Sequence, residues 1–202
     1  MPTILLILAS QHGHTTEIAR RIAQVLEHEG LRVDLRGAAE DPSPLDYDGV
    51  VVGASIHAGS HEREIVDWAA RHRAALAQRP SAFFSSCLTV ADGKPESWAT
   101  ARSYVDAFVE KTGWTPDRTA TFAGALQYRE YGFLTRIAIK QMMRKGGHPT
   151  DTSRDYDYTD WDAVEAFARE FAGASVRATA ANGCRPKGQS ELTAGRRTGS
   201  EP

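Results

Sequence analysis

The 202-residue sequence predicts an α/β fold, a doubly wound parallel sheet of five strands with helices on both faces. Three observations carry that expectation. Thr3 to Ala9 is apolar with no polar alternation, as a strand covered on both faces must be. A turn rich in His and Gly and then a helix-periodic stretch follow it. Thereafter the order strand, loop, helix recurs, which within one sheet means parallel strands joined by right-handed crossovers.

The first helix is expected over Thr16 to Glu29, where Ile18, Ala19, Ile22, Val25 and Leu26 recur at helical spacing and Gly30 supplies the stop. Leu31 to Leu35 reads as a second strand. Asp41 to Pro44 breaks the pattern, and Gly49 to Gly53 reads as a third strand that opens into a loop, Ala54 to Gly59. A single helix is expected from Glu62 to Leu76, with Ile65, Val66, Trp68 and Ala69 inward, before a fourth strand at Ser81 to Cys87. Trp98 to Thr112 has a stripe of Tyr104, Val105, Phe108 and Val109, Thr119 to Ala125 is the fifth strand, and a last helix runs from Asp160 to Phe171. Asp160 or Thr159 is its expected N-cap.

Two stretches stand outside the repeat. Residues 126–150 hold a basic, amphipathic insertion, centred on Tyr128 to Lys145. From Ala174 to Pro202 the chain has hardly any large apolar side chain, so 1–173 is the expected domain and 174–202 an expected disordered tail.

Hydrophobic residues at 41% and charged residues at 25% fit an ordinary globular chain. A net charge of −2 creates no global field to recruit nucleic acid. Cys87 and Cys184 are far apart and read as reduced thiols, which suggests a cytoplasmic setting. Met1-Pro2-Thr3 lacks the basic start of a secretion signal, and Ile4 to Ala9 is too short to cross a bilayer.

The first loop, Ser10-Gln11-His12-Gly13-His14-Thr15, joins a buried strand to a helix and is made of small, hydroxylated and glycine residues. Such a turn presents backbone N–H groups and a helix N-terminus to a phosphate. No Lys or Arg lies between Ala9 and Arg20, so amides and the helix dipole would hold the anion. A Walker ending and the G-x-G-x-x-G fingerprint are both missing. Taken alone, the loop equally suits an ordinary turn in which Ser10 caps the helix.

In a doubly wound sheet, ligands bind at the carboxyl ends of the strands where the strand order reverses. The loops converging there are Ser10 to Thr15, Ala54-Ser55-Ile56-His57 with Ala58 and Gly59, and Ser86-Cys87-Leu88-Thr89 on to Gly93. The latter two are small or polar enough to wrap a flat ring through backbone contacts. His57 is the planar side chain of the second, where a solvated loop histidine is the plain alternative. Asp151, Asp155, Asp157 and Asp160 match no EF-hand spacing, and no metal site is proposed. No Ser-His-Asp or Cys-His arrangement emerges, and Cys87 reads as a buried strand residue.

The first loop resembles the flavodoxin pattern T/S-x-T-G-x-T, with Ser10, Gly13 and Thr15 matching and His12 in place of the middle Thr. Further blocks are Val52-Gly53-Ala54-Ser55-Ile56, Pro80-Ser81-Ala82-Phe83, Trp114-Thr115-Pro116-Asp117-Arg118, Ala123-Gly124-Ala125-Leu126 and Tyr158-Thr159-Asp160-Trp161. In that order they resemble the menaquinone-dependent protoporphyrinogen oxidase family, from about Thr3 to Ala172.

The resemblance implies a flavodoxin-like sandwich with strand order 2-1-3-4-5 and FMN at the three loops. It also implies oxidation of protoporphyrinogen IX to protoporphyrin IX, with electrons passing to menaquinone or another membrane quinone. Residues 129–145 mix Phe133, Leu134, Ile137, Ile139, Met142 and Met143 with Arg129, Arg136, Lys140, Arg144 and Lys145. That composition suits an anionic membrane surface on the cytoplasmic side or porphyrin propionates, and a surface helix packed on the sheet is the alternative. A flavodoxin-type electron carrier is the second functional reading. Neither a catalytic residue nor an oligomeric state follows.

Overall fold

The strand expected at the start of the chain is β1, Thr3–Leu8, and it lies inside the sheet with a strand on each side. In the computed structural model, which describes residues 1–9, 13–126 and 156–183, its side chains divide by parity. Ile4, Leu6 and Leu8 enter one hydrophobic cluster, and Leu5 and Ile7 enter another. Alternate residues of a strand face opposite sides, so a strand covered twice has no place for a polar residue.

Helix α1 (His14–His28) leads to β2 (Arg32–Gly37), while β3 (Gly49–His57) pairs with β1 on its other side. Then come β4 (Ser60–His61), α2 (Arg63–Arg71), α3 (Arg73–Leu76), β5 (Ser81–Ser86), α4 (Pro95–Thr112) and β6 (Arg118–Phe122). The parallel strands are ordered β2-β1-β3-β5-β6, the expected order once the two-residue β4 is set aside. β4 pairs antiparallel with the end of β3, and β7 (Ala125–Leu126) with β8 (Tyr156–Asp157) forms a second small sheet. Neither addition was expected. Helix α5 spans Trp161–Gly183.

One face of the sheet carries Ile18, Ile22 and Leu26 of α1 together with Val164, Ala168 and Phe171 of α5. The other carries Ile65 and Trp68 of α2 with Phe108 of α4, which stacks on Phe83 at 4.1 Å between ring centroids. Burying each such side chain contributes about 1.5–3 kcal/mol, so the two clusters dominate the stability of the sandwich. The edge strands differ from the centre. β2 bears Arg32, Asp34 and Arg36, with both arginines exposed, which discourages pairing with another chain.

Several expectations about boundaries are corrected. The helix expected over Glu62 to Leu76 is divided at His72 (φ −97, ψ 9), whose Nε2 lies 3.0 Å from Asp41 Oδ1 and whose ring packs on Trp68. A tertiary contact there overrides helical periodicity. The fifth strand stops at Phe122 rather than Ala125, because Ala125 and Leu126 turn to pair with β8. Asp160 is the cap of α5, its Oδ1 accepting from the Ala163 amide at 3.0 Å.

The tail expected from Ala174 does not begin there, since α5 continues to Gly183 and Ser175 is fully buried. The composition of 174–183 is poor in apolar groups but rich in alanine, the best helix former, which extends a helix already nucleated by its packed first turns. Residues 127–155, holding all of the expected insertion beyond Leu126, and residues 184–202 lie outside the described residues.

Candidate functional site

The strand order reverses between β1 and β3, so the carboxyl ends of β1, β3 and β5 meet where the sequence places its three loops. Of the first loop, Ser10, Gln11 and His12 lie outside the described residues. Gly13 has φ 83 and ψ −177, a combination available essentially to glycine alone, and it precedes α1 as an N-cap without any side-chain hydrogen bond. The Thr16 amide bonds the Gly13 carbonyl at 3.1 Å. Among the described residues, no side chain caps the start of this 15-residue helix. Thr15 is half-buried beside it.

His14 does not project freely from this loop. It is 8% exposed, and both ring nitrogens meet acceptors: Nδ1 lies 2.8 Å from Glu17 Oε2, and Nε2 lies 2.6 Å from Thr159 Oγ1 and 3.4 Å from Asp157 Oδ1. Thr159 donates its own hydroxyl proton to the Ala123 carbonyl at 2.9 Å, so Nε2–H donates to Thr159. Asp157 also accepts from the Thr159 amide and from the Trp161 indole. Burial opposes ionisation of Asp157, yet the hydrogen bond from the Thr159 amide, the nearby His14 and the Trp161 bond outweigh it and hold the carboxyl below the usual range.

The second stretch is not a loop. β3 runs through His57, because Ala54 and Ser55 pair with Ser85 and Ser86 while Ile56 and His57 pair with His61 and Ser60. Only Ala58 and Gly59 form the turn, with φ of 49 and 82. Two central residues with positive φ make a type I′ hairpin, but alanine is a poor sequence signal for one. Ala54 is buried among core side chains, Ser55 and Ile56 are half-buried, and His57 is exposed.

Glu62, just before α2, organises this strand end. Its Oε2 accepts from the Ser55 amide at 2.9 Å and its Oε1 from the Ser55 hydroxyl, so it does not cap its own helix. A carboxylate only accepts, which commits the Ser55 proton to Glu62 and makes Ser55 Oγ the acceptor for His57 Nε2–H at 2.9 Å. The chain Glu62–Ser55–His57 thus fixes the His57 ring through its Nε2. Sequence reasoning missed Glu62, and also Thr159 as a partner of the first loop. Pairing across such separations leaves no local pattern.

In the third stretch Ser86 and Cys87 are buried, Leu88 is half-buried and Thr89 exposed. Cys87 ends rather than continues the strand: its amide bonds the Phe122 carbonyl at 2.9 Å, and its side chain packs with Val90 and Ala101. Its thiol is therefore closed to a ligand. Gly124 passes close above, where a Cβ would lie 3.2 Å from Ser86 Oγ. Tyr104 of α4 approaches the hairpin turn, with its hydroxyl 3.8 Å from where a Gly59 Cβ would stand.

The flavodoxin domain profile matches residues 5–153. The chain belongs to the flavodoxin domain family. Flavodoxin is itself a standard instance of ligand binding at a sheet's switch point. Similar proteins include one from Escherichia coli (strain K12) named "Protoporphyrinogen IX dehydrogenase [quinone]", 37% identical over 171 residues, covering 83% of this chain and 93% of the relative. A protein of the same name from Leishmania major is 36% identical over 174 residues, covering 85% of this chain and 75% of that one. Among solved structures, a short-chain flavodoxin associated with a PDU bacterial microcompartment superposes with a TM-score of 0.55 at 15% identity, covering 87% and 99% of the two chains.

FMN is the cofactor of this flavodoxin domain, and the residues present fit it. A helix N-terminus that no described side chain caps, behind a glycine of near-unique conformation, suits a phosphate. The hairpin end of β3 at Ser55 to His57 and the turn at Leu88 and Thr89 lie at the same carboxyl end of the sheet.

Proposed function

We propose that this flavodoxin-domain chain catalyses the FMN-dependent oxidation of protoporphyrinogen IX to protoporphyrin IX, with a quinone accepting the electrons. The observation that carries the reading is the likeness to relatives of that name over 83% of this chain and 93% of the Escherichia coli protein.

Oxidising a porphyrinogen to a porphyrin removes hydride equivalents from all but one of its bridging carbons, while that last bridge and the pyrrole nitrogens release the balancing protons, so the two-electron acceptor must be reoxidised by the quinone between successive steps. Bound FMN supplies the two-electron acceptance. The chain's own residues bind and orient. The residues that would hold the phosphate, through backbone amides and the α1 N-terminus, are Ser10, Gln11, His12, Gly13, His14 and Thr15. Ala54, Ser55, Ile56 and His57, together with Ser86, Cys87, Leu88 and Thr89, would hold the flavin ring, Cys87 through its backbone only. Glu62 holds Ser55, and Ser55 orients the His57 imidazole.

The finer parts of the reading are menaquinone as acceptor and attachment of residues 129–145 to an anionic bilayer on the cytoplasmic face. Five basic side chains interleaved with six large apolar ones support it. Among the described residues no helix is long and apolar enough to cross a membrane.

The test is to reconstitute the protein with FMN, add protoporphyrinogen IX and a menaquinone analogue, and follow porphyrin fluorescence. Turnover well above autoxidation, dependent on the quinone, is expected. A yellow protein that shows no such turnover but passes electrons to a soluble acceptor would replace this reading with an electron carrier. Loss of binding to anionic vesicles on deleting 129–145 tests the membrane part.

A further inference from the structure

The described part of the first loop is fastened to a part of the chain that sequence order places far away. His14 follows Gly13 directly, yet its hydrogen-bond partner Thr159 is 145 residues downstream. Thr159 is fixed in turn from three directions: its hydroxyl donates to the Ala123 carbonyl, its amide donates to Asp157, and it stands between β8 and the Asp160 cap of α5. The Trp161 indole donates to Asp157 at 3.0 Å and its ring meets His14 edge-on at 5.9 Å between centroids. Glu17 closes the near side at 2.8 Å.

His14 is 8% exposed and turned across to another element. The covalent neighbour of His14 is Gly13, whose backbone angles a freely rotating loop would not keep. Holding the ring therefore holds the peptide planes at the mouth of α1.

We propose that Thr159, acting through His14, is a positioning residue for the FMN phosphate: it pre-orders the Gly13–His14 backbone so that the amides at the start of α1 face the anion. The inference rests on the FMN reading of the site and assigns a role to a residue outside all three loops. Pre-ordering lowers the entropy lost on binding, so releasing the latch weakens the phosphate contact without touching the ring contacts.

That distinction supplies the test. Flavin fluorescence quenching is titrated with FMN and with riboflavin, which lacks the phosphate, for the wild type, Thr159→Val and Thr159→Ser. Thr159→Val keeps the shape and removes the hydroxyl; it is expected to weaken FMN about tenfold while leaving riboflavin unchanged, the size of one lost buried hydrogen bond. Thr159→Ser keeps the hydroxyl and should restore wild-type FMN affinity. Thermal unfolding of the flavin-free proteins shows whether each variant folds. Equal weakening of FMN and riboflavin, or none of either in a folded Thr159→Val protein, overturns the positioning role. Should Thr159→Val fail to fold, His14→Gln replaces it, with the same selective loss of FMN expected and an unselective result overturning the role. A wild type that binds neither flavin refutes the FMN reading instead, so the two failures are distinct.

Discussion

His61 places its Nε2 2.9 Å from Ser85 Oγ beneath the hairpin that ends β3. The imidazole is 9% exposed and meets the rings of Phe83 and Phe108 edge-on, each at 5.3 Å. Burial, helped by the charge of Lys111, pushes its pKa down to about 4.

A neutral buried histidine makes stability depend on pH. Between the ordinary pKa of 6.5 and about 4, the unfolded chain binds a proton at His61 that the folded chain refuses. Stability from this group is complete above pH 6.5 and is lost as pH falls toward 4, by ~3 kcal/mol at full extent. His61→Gln can still bond Ser85 but does not titrate. Denaturant unfolding at pH 7.5 and 4.5 should show a smaller acid-induced loss in the variant; equal losses would contradict the assignment.

Glu62 holds Ser55 by two hydrogen bonds, so Glu62→Ala should cost about 1–3 kcal/mol, because the Ser55 amide loses its partner at a half-buried position. Glu62→Gln keeps a carbonyl acceptor and should cost less than half of that. The urea midpoint at unchanged m-value measures both.

Gly53 lies at the level of Leu8, beside the switch point. A Cβ there would stand 2.5 Å from Leu8 Cδ2 and closer still to the Phe84 ring, so the two core side chains would have to move. Gly53→Ala should therefore cost about 3 kcal/mol or more, at the upper end of overpacking effects. Differential scanning calorimetry checks it, and a melting temperature equal to that of the wild type would refute the close packing.

Helix α5 continues past the expected domain end at residue 173, with Ser175 fully buried. Truncation after Gly173 should lower the melting temperature by several degrees relative to truncation after Gly183. Equal melting temperatures would mean that residues 174–183 add nothing to the domain.

How far the sequence reaches is clearest in β1 and β3. The uninterrupted apolar run from Ile4 to Leu8 and the helical spacing of Ile18, Ile22 and Leu26 are local patterns that report burial, and with the recurring order of strand, loop and helix they determined the layers, the parallel sheet and the switch point. The sequence also placed Gly13 where the backbone needs glycine, and Gly30 where α1 stops. Only the tertiary structure decided that β3 extends to His57, since its last pairs come from β4 and β5 rather than from its own composition. Only the fold joined Ser55 to Glu62, His61 to Ser85 and His14 to Thr159. The physical reason is the same in each case: hydrophobic periodicity is written within one element, whereas a hydrogen bond between elements depends on where the whole sheet brings them together.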